Sequence, residues 1–299
     1  MKSLDTKLLR TGLDWVSAAE EQFQQAGLTF GHGAVDAHEE ALQLVAHVLK
    51  QSPENVLDDK HPVGEAESQR IVELMVARIE TRKPLAYLTN TAWFMGLPFY
   101  VDERVLVPRS PLGEWIERAF SPWIDPDRVT RILDVGTGSG SLAILSAMAF
   151  PKARVDAIDI DEDALVVASI NIEHYQLADR VRLIQSDGFS ALEQGESYDL
   201  ILSNPPYVSR TEVDRLPKEY RHEPRKALEA ADEGLAMAIR LLSEVKEYLM
   251  DNGIFVMEVG YNAEALQRRF SSVPFIWLEQ EHGGEGLLLL DKHQLSEYF

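Results

Sequence analysis

The sequence contains no cysteine, so it can form neither disulfides nor cysteine-ligated zinc and iron–sulfur sites. It also lacks any apolar run near the roughly 20 residues that a membrane-spanning helix requires. Residues 1–5 have no apolar signal core, which predicts no secretion. Together these absences favour a cytoplasmic protein without membrane contact, although a lack of cysteine does not by itself require that location.

Positive charge is also scarce, because 29 Lys and Arg residues face 49 Asp and Glu residues, for a net charge of −20. A protein that binds duplex nucleic acid normally carries a basic surface that displaces counterions. We therefore expect no direct specific binding of nucleic acid. Most of the acids need no role beyond solubility, and the functional alternative is a basic macromolecular partner.

The first part of the chain, residues 1–88, is predicted to be a small helical domain. Its clearest segment, about 65–82, repeats apolar residues at helical spacing around one cation: Ile71, Leu74, Met75, Arg78 and Ile79. Runs that include Leu4, Leu8 and Phe23, and then Ala37–Lys50, continue the pattern. The histidines of this region lack the spacing of metal ligands, so we expect no metal site: His32, His38, His47 and His61.

Residues 89–110 are predicted to form a β-hairpin linker. Aromatic, β-prone residues flank the turn signal Met95-Gly96-Leu97-Pro98. Phe94 and its aromatic neighbours either pack the hairpin or wall a pocket together with Tyr207, and the sequence leaves both possibilities open.

From Arg131 onwards, apolar runs alternate with helical patterns, which is typical of a parallel sheet. We predict an α/β domain over 111–299, with a mostly parallel Rossmann-like sheet and an antiparallel C-terminal hairpin, Phe275–Glu279 and Gly286–Leu290, around the linker 281–284 with His282. The predicted strands are Arg131–Val135, Val155–Ile160, Val181–Gln185, Asp199–Leu202 and Ile254–Val259. The predicted helices are Leu112–Phe120, Ser139–Phe150, Asp163–Tyr175, Glu233–Met250, with Asn252-Gly253 as its stop signal, and Ala263–Phe270.

A glycine-rich turn follows the first predicted strand, in Asp134-Val135-Gly136-Thr137-Gly138-Ser139-Gly140. Such glycines let the backbone approach a ligand and adopt positive φ, and the following helix N-terminus favours an anionic group. A dinucleotide fingerprint would place its last small residue where Ser141 stands, and the P-loop ending is absent. The carboxylate of Asp134 opposes pyrophosphate and suits a ligand with an ammonium or sulfonium group.

Acids also end the next two predicted strands. Asp159 stands where a carboxylate binds ribose hydroxyls, Asp187 could accept from an adenine amine, and Phe189 could pack beside that ring. Each acid alone would be an ordinary strand-end residue. Together with the glycine turn, they predict a site for S-adenosylmethionine.

The fourth strand ends in an elbow, Asn204-Pro205-Pro206-Tyr207. The prolines fix two φ angles and hold Asn204 extended. The Asn204 carboxamide oxygen and the Pro205 carbonyl can accept the two N–H groups of an amide or aromatic amine, while Tyr207 lies against its flat face. Alone, these residues would be read as a proline-stiffened turn, but beside a methyl-donor site they predict an amine acceptor.

At these residues the chain resembles the class I S-adenosylmethionine-dependent methyltransferases, and more narrowly the HemK-type N5-glutamine methyltransferases. The resemblance extends over further motifs: Phe94–Phe99, Val107–Pro111, His222-Glu223-Pro224 and Glu258-Val259-Gly260. It implies that Thr137 and the three loop glycines bind the cofactor together with Asp134, Asp159, Asp187, Phe189 and Asn204. It implies catalysis by Asn204, Pro205 and Tyr207, and substrate binding by these residues with Pro206, Phe94, Arg109 and Glu223.

Within that group, Asp14–Ala19, Phe30–Gly33 and Leu216–Pro224 are similar to the branch that methylates a glutamine of large-subunit ribosomal protein three. This implies a basic ribosomal protein as the substrate and a role for residues 1–88 in recognising it. The sister branch methylates the Gly-Gly-Gln loop of release factors. Ser110–Gly113 departs from the Pro-Asp-Thr-Glu continuation of that sister branch, which leaves the role of Glu114 open.

Two further alternatives remain, one a related methyltransferase and one from another class of protein. An adenine-N6 nucleic-acid methyltransferase uses the same elbow on a flipped base, but the acidic composition opposes it. A cofactor-binding scaffold without catalysis would use its helical domain to hold a partner, and the intact elbow opposes that function.

Overall fold

The computed structural model describes residues 9–58, 62–281 and 283–299 of the chain. The predictions that involve Leu4, Leu8, His61 and His282 lie outside these residues. The chain forms two compact units: one extends up to Trp93 and includes Pro217–His222, and the other comprises Phe94–Leu216 and Glu223–Phe299. This division falls within the predicted linker 89–110, and the six-residue insertion into the first unit was not predicted.

The first unit is helical, as the apolar periodicity predicts. Its helices are α1 (Gly12–Gln25), α2 (Ala37–Leu49), α3 (Pro53–Asp58), α4 (Glu65–Thr81) and α5 (Leu85–Thr89). The side chains of Thr11 and Asp36 cap the first two helices by accepting hydrogen bonds from backbone amides. The apolar faces of these helices meet in one core: Trp15, Phe23, Leu44, Ile71 and Met75 are all fully buried.

Arg78, the one cation in the apolar stripe of α4, is completely buried and pairs with Glu40 on α2 at 2.5 Å. Its guanidinium also donates to the carbonyl of Thr29 (3.0 Å). Burial raises the pKa of Glu40, and the charge of Arg78 opposes that shift. The pair is thus a buried charge couple whose members depend on each other.

The inserted segment Pro217–His222 brings a second carboxylate to this part of the first unit. Glu219 accepts from the backbone amide of Thr29 at 3.1 Å and from the guanidinium of Arg82 at 3.2 Å. The ring of Tyr220 lies 4.3 Å from that of His32. The helical unit is therefore completed by residues more than a hundred positions downstream of its last helix.

The second unit is built on a mostly parallel sheet. The parallel strands are β3 (Arg131–Val135), β4 (Arg154–Asp159), β5 (Val181–Gln185), β6 (Tyr198–Ser203) and β9 (Leu249–Glu258). The antiparallel edge pair is β10 (Ile276–Leu278) and β11 (Leu287–Asp291). Within the described residues the seven strands are ordered β10-β11-β9-β6-β3-β4-β5. The predicted fold class and its C-terminal hairpin are confirmed.

Successive strand residues face opposite layers of helices, as the two-residue period of a strand requires. Ile132, Leu200 and Val256 belong to one core cluster, whereas their neighbours Leu133, Ile201 and Phe255 belong to the other. The first cluster is covered by α6 (Leu112–Glu117), α7 (Ser141–Ala149) and α8 (Glu162–His174). The second is covered by α10 (Ala236–Glu244), α11 (Ala263–Arg269) and α12 (Lys292–Tyr298).

The remaining elements are short. A hairpin of β1 (Ala92–Phe94) and β2 (Leu97–Phe99) stands at the boundary of the units, as predicted from its turn. After β6, the strands β7 (Val208–Ser209) and β8 (Glu229–Ala230) pair in parallel, with α9 (Arg210–Val213) following β7. No helix in the described ranges is both long and apolar enough to cross a bilayer.

The prediction of a helix over Glu233–Met250 is wrong at both ends. The helix is α10, and a 3₁₀ turn over Val245–Tyr248 leads directly into β9 at Leu249. Asn252 and Gly253 do not end a helix but lie inside β9, where the pairing with β6 shifts register between Leu249 and Ile254. These two residues lie in the stretch between Leu249 and Ile254 that does not pair with β6, so they form an irregularity within the strand rather than the end of a helix.

We predict that Arg78→Met lowers the free energy of unfolding by about 3–5 kcal/mol, because it leaves Glu40 buried without its cation. Urea unfolding of the full chain measures this change. The matched control is Arg70→Met, which removes the exposed Arg70–Glu73 pair (3.2 Å) and should cost less than about 1 kcal/mol. Equal costs for the two variants would show that burial does not set the strength of the Arg78 interaction.

Candidate active site

A cavity of about 370 Å³ opens at the carboxyl ends of the parallel strands in the second unit, within the size range of small-molecule sites. This is the edge at which open α/β sheets bind their ligands. Most of its wall comes from residues within the segments 104–110, 135–142 and 158–164, from Ser186 with Gly188, and from the elbow residues Asn204 and Pro206. Residues within 224–229 and Met237 complete the lining.

The glycine-rich turn forms one wall of the cavity. Gly136, Gly138 and Gly140 have φ of +77°, +54° and +79°, which side chains other than hydrogen rarely adopt. A Cβ added to Gly138 would meet no atom within 4 Å, so the turn leaves open space for a ligand on this side. The backbone amides of Gly136 and Thr137 both donate to the Ile158 carbonyl at 2.9 Å, which fixes the turn against the end of β4.

Asp134 lies beneath this turn and is fully buried, so its carboxylate does not line the cavity. It accepts a hydrogen bond of 2.7 Å from the hydroxyl of Thr137. Burial raises the pKa of Asp134 to about 7; the Thr137 hydrogen bond opposes the shift and the nearby charge of Asp159 adds to it. The expected direct contact of Asp134 with a cationic ligand group is therefore corrected, because this residue holds the loop instead.

Asp159 ends β4 and lines the cavity, as predicted. Its two carboxylate oxygens accept from the amides of Gly138 and Asp161, each at 2.9 Å, and burial raises its pKa. Each oxygen retains a further lone pair, which leaves acceptor capacity for ligand hydroxyls. The carboxylate thus joins the glycine turn to the start of α8 at the cavity wall.

The side chains of Asp187 and Phe189 do not reach the cavity. Asp187 pairs with Arg240 at 2.5 Å on the surface, and Phe189 is buried in a stack on Tyr248 with ring centroids 4.8 Å apart. The chain instead presents Ser186 and Gly188 to the cavity. The proposed adenine contacts of Asp187 and Phe189 are corrected, because alternate residues after β5 point in different directions.

The elbow lies on the same cavity. Asn204 and Pro206 line it and Pro205 is buried. The hydroxyl of Ser203 donates to the Val135 carbonyl at 2.8 Å, which ties the end of β6 to the end of β3 just before the glycine turn. Tyr207 is not among the lining residues; its hydroxyl donates to the buried carboxylate of Glu258 at 2.9 Å.

Of the other predicted substrate-binding residues, only Arg109 lines the cavity. The buried carboxylate of Glu223 accepts two hydrogen bonds from the Arg109 guanidinium, of 2.6 and 2.8 Å. Glu223 also accepts from the amide of Val107, so it positions this segment rather than facing a substrate. The predicted substrate contact of Phe94 is corrected, because its side chain is buried against Phe99 in the core, away from the cavity.

Sequence reasoning missed two cations of the cavity wall, Arg104 and Lys226. Arg104 is held by Asp102 through two hydrogen bonds of 2.8 and 2.6 Å, and Lys226 pairs with Asp161. Neither residue belongs to a motif recognised in the sequence. The only local signal was the spacing of two residues between Asp102 and Arg104, which allows them to form an ion pair. Within the described ranges, no group of three or more His, Asp or Glu residues could hold a metal ion.

Comparison with known proteins identifies the family. A family model of the methyltransferase small domain matches residues 119–233. The ribosomal protein uL3 glutamine methyltransferase of Francisella tularensis is 41% identical over 295 residues, covering 97% of this chain and 93% of that protein. The Bordetella pertussis protein of the same name is 40% identical over 300 residues, with 99% and 100% covered. That of Neisseria meningitidis is 42% identical over 291 residues, with 96% and 95% covered.

The chain belongs to the uL3 glutamine methyltransferase family. The resemblance drawn from its motifs is thereby confirmed, as are a methyltransferase activity and S-adenosylmethionine as the methyl donor. Among solved structures, the catalytic domain of hMettl16 in complex with MAT2A 3'UTR hairpin 1 superposes with a TM-score of 0.51 at 16% identity, covering 78% of this chain and 83% of that one. At this identity the likeness shows the shared methyltransferase fold alone.

We predict that the free energy of unfolding of this uL3 methyltransferase family member falls as pH rises, because of the carboxyl group of Asp134. Its pKa is about 7 in the folded chain and about 3.9 when unfolded, so the folded state binds the extra proton in this window. The stabilisation is present below about pH 4 and is lost as pH rises through about 7. Asp134→Asn, which keeps an acceptor for Thr137, should lack this component.

Urea unfolding at several pH values measures the difference between the wild-type chain and Asp134→Asn. The exposed Asp163→Asn serves as the control and should run parallel to the wild type. Parallel curves for Asp134→Asn as well would show that this carboxyl does not hold its proton in the fold.

Proposed function

We propose that this protein transfers the methyl group of S-adenosylmethionine to the side-chain amide nitrogen of a glutamine in ribosomal protein uL3. The observation that carries the proposal is the position of Asn204, on the wall of the same cavity that the glycine turn and Asp159 line. Relatives that match nearly the whole chain carry the name of this activity.

The residues of the cavity fit the methyl donor. The turn Gly136–Gly140 leaves open space at Gly138, and the Asp159 carboxylate stands beside it with acceptor capacity for hydroxyl groups. When bound, S-adenosylmethionine supplies an electrophilic methyl group on a sulfonium. We assign its binding to the glycine turn and Asp159, with Thr137 fixing the turn through Asp134.

The elbow orients the acceptor. A carboxamide nitrogen is a poor nucleophile because its lone pair is delocalised into the carbonyl, so positioning has to supply much of the rate. In favourable cases, positioning contributes on the order of 7–11 kcal/mol. The Asn204 carboxamide oxygen and the Pro205 carbonyl accept the two N–H groups of the glutamine amide. Both bonds strengthen as positive charge develops on the nitrogen, which is where stabilisation accelerates a reaction.

The charge of the chain suits the proposed substrate. A net charge of −20 favours association with a basic ribosomal protein and disfavours nucleic acid. We also propose that the helical unit recognises the ribosomal protein and that this methyltransferase is located in the cytoplasm.

The decisive experiment incubates the purified protein with labelled S-adenosylmethionine and undermethylated uL3, and locates the label by mass spectrometry. We expect one added methyl group on a glutamine side chain. Release factor and total RNA serve as competing acceptors in parallel reactions. Label in either competitor and none in uL3 would overturn the proposal in favour of the sister branch or of a nucleic-acid methyltransferase.

We predict that Asn204→Ala lowers kcat by about 10²–10³, the effect expected for loss of one preorganised hydrogen-bonding group. The affinity for S-adenosylmethionine, measured by calorimetry, should change little. The control is Asn252→Ala, an exposed asparagine in the irregular part of β9, which should leave both quantities unchanged. Wild-type turnover in Asn204→Ala would show that this side chain does not hold the acceptor.

We predict that Asp159→Ala weakens S-adenosylmethionine binding by about tenfold or more, because it removes a charged acceptor from the site. Calorimetric titration with the cofactor measures the change. The exposed Asp163→Ala at the start of the following helix is the control. An unchanged Kd in Asp159→Ala would contradict the assignment of this residue.

A further inference from the structure

Glu258, the last residue of β9, is buried beneath the elbow although no step of the reaction uses it. Its Oε1 accepts from the hydroxyl of Tyr207 at 2.9 Å, and its Oε2 accepts from the hydroxyl of Ser110 at 2.5 Å. A buried carboxylate is tolerated only when hydrogen bonds satisfy it. Because each oxygen has a separate hydroxyl partner, the carboxylate cannot rotate without losing one of them.

The same end of β9 holds Tyr207 at two further points. The side-chain amide of Asn262 donates to the Tyr207 carbonyl at 2.6 Å. The Tyr207 ring lies against Gly260, where an added Cβ would come within 2.7 Å of a ring carbon. Hydroxyl, ring and backbone of Tyr207 are therefore all fixed by residues 258–262.

Fixing Tyr207 also restrains Asn204. The two residues are separated by Pro205 and Pro206 alone, and proline rings leave little freedom in φ. A displacement of Tyr207 is thus transmitted through a stiff pair of residues to the side chain on the cavity wall. Ser110, the other partner of Glu258, lines the same cavity next to Arg109.

We propose that Glu258 and Asn262 are positioning residues that hold the acceptor elbow through Tyr207, and that Glu258 joins the elbow through Ser110 to the wall segment 104–110. This inference rests on the proposed function in assigning the elbow to acceptor binding. Burial raises the pKa of Glu258, while the hydrogen bonds from Ser110 and Tyr207 and the charge of Arg109 oppose that shift.

The chain offers a matched control at the other end of β6, the strand that leads into the elbow. Tyr198, the first residue of β6, donates its hydroxyl to the buried carboxylate of Asp156 at 2.8 Å. This pair lies at the edge of the sheet away from the cavity and is supported by Arg131 and Arg182. Tyr198→Phe therefore removes the same chemical group as Tyr207→Phe without touching the elbow.

The first experiment needs no substrate. Hydrogen exchange with mass spectrometry follows the backbone amides of residues 203–209 in the wild type, Glu258→Ala, Asn262→Ala and Tyr198→Phe. We expect exchange of this segment to accelerate about tenfold or more in Glu258→Ala and Asn262→Ala, because local opening no longer has to break the hydrogen bonds that hold Tyr207. Exchange should stay unchanged in Tyr198→Phe. Unchanged exchange in Glu258→Ala would overturn the proposal.

The second experiment is a double-mutant cycle on methyl transfer to uL3. Tyr207→Phe and Glu258→Ala should each lower kcat about tenfold or more, with the KM for S-adenosylmethionine unchanged. The double variant should be no slower than the worse single variant, because both changes break one interaction. Glu258→Gln, which keeps one acceptor oxygen, should recover part of the activity. Multiplicative effects in the double variant would show that Glu258 does not act through Tyr207.

The two experiments separate failure of the inference from failure of the proposed function. A wild-type protein that does not methylate uL3 refutes the function, and hydrogen exchange still decides whether Glu258 holds the elbow. Thermal unfolding of each variant identifies those that lose the fold. If Glu258→Ala unfolds, the milder variants Tyr207→Phe and Glu258→Gln, singly and combined, replace it in both experiments.

Discussion

The pairing of β6 with β3 is the constraint on which the site depends. In this register Ser203 lies opposite Val135, so the elbow and the glycine turn leave the sheet at the same level, side by side. The hydrogen bond from the Ser203 hydroxyl to the Val135 carbonyl fixes that level. A slip of one residue would exchange the side chains that face the two core clusters and would offset the elbow from the glycine turn. The register that packs the two clusters therefore also places donor site and acceptor site together.

Acidic residues around the cavity act mainly on the protein itself. Asp134 holds Thr137, Asp159 holds the amide of Gly138, and Glu258 holds Ser110 and Tyr207. Each has a pKa raised by burial, and each is retained at an energetic cost that hydrogen bonds offset. Loops that carry glycine and proline gain a fixed shape from these carboxylates. Such preorganisation suits a reaction that depends on orientation more than on proton transfer.

Features encoded by neighbouring residues could be predicted from the sequence. The buried strands, the glycine turn and the proline elbow each follow from a short run of residues, and the structure places them at one sheet edge. Side-chain direction beyond a strand end could not be predicted in this way. Asp187 and Phe189 turn away from the cavity, and Phe94 packs over the space left by Gly113, because tertiary packing decides these orientations. The turn signal Asn252-Gly253 likewise marks an irregularity inside β9 and not the end of a helix, a distinction that only the pairing with β6 reveals.

The insertion of Pro217–His222 has a consequence for biosynthesis. A ribosome that has released only the first 93 residues has made α1–α5 but not Glu219, which accepts hydrogen bonds from the amide of Thr29 and the guanidinium of Arg82. Until the later segment emerges, those donors have to bind water, and that part of the unit stays less stable than in the finished chain. The core of the first unit can therefore form during translation, whereas its contacts with Glu219 form only after the later segment has been made.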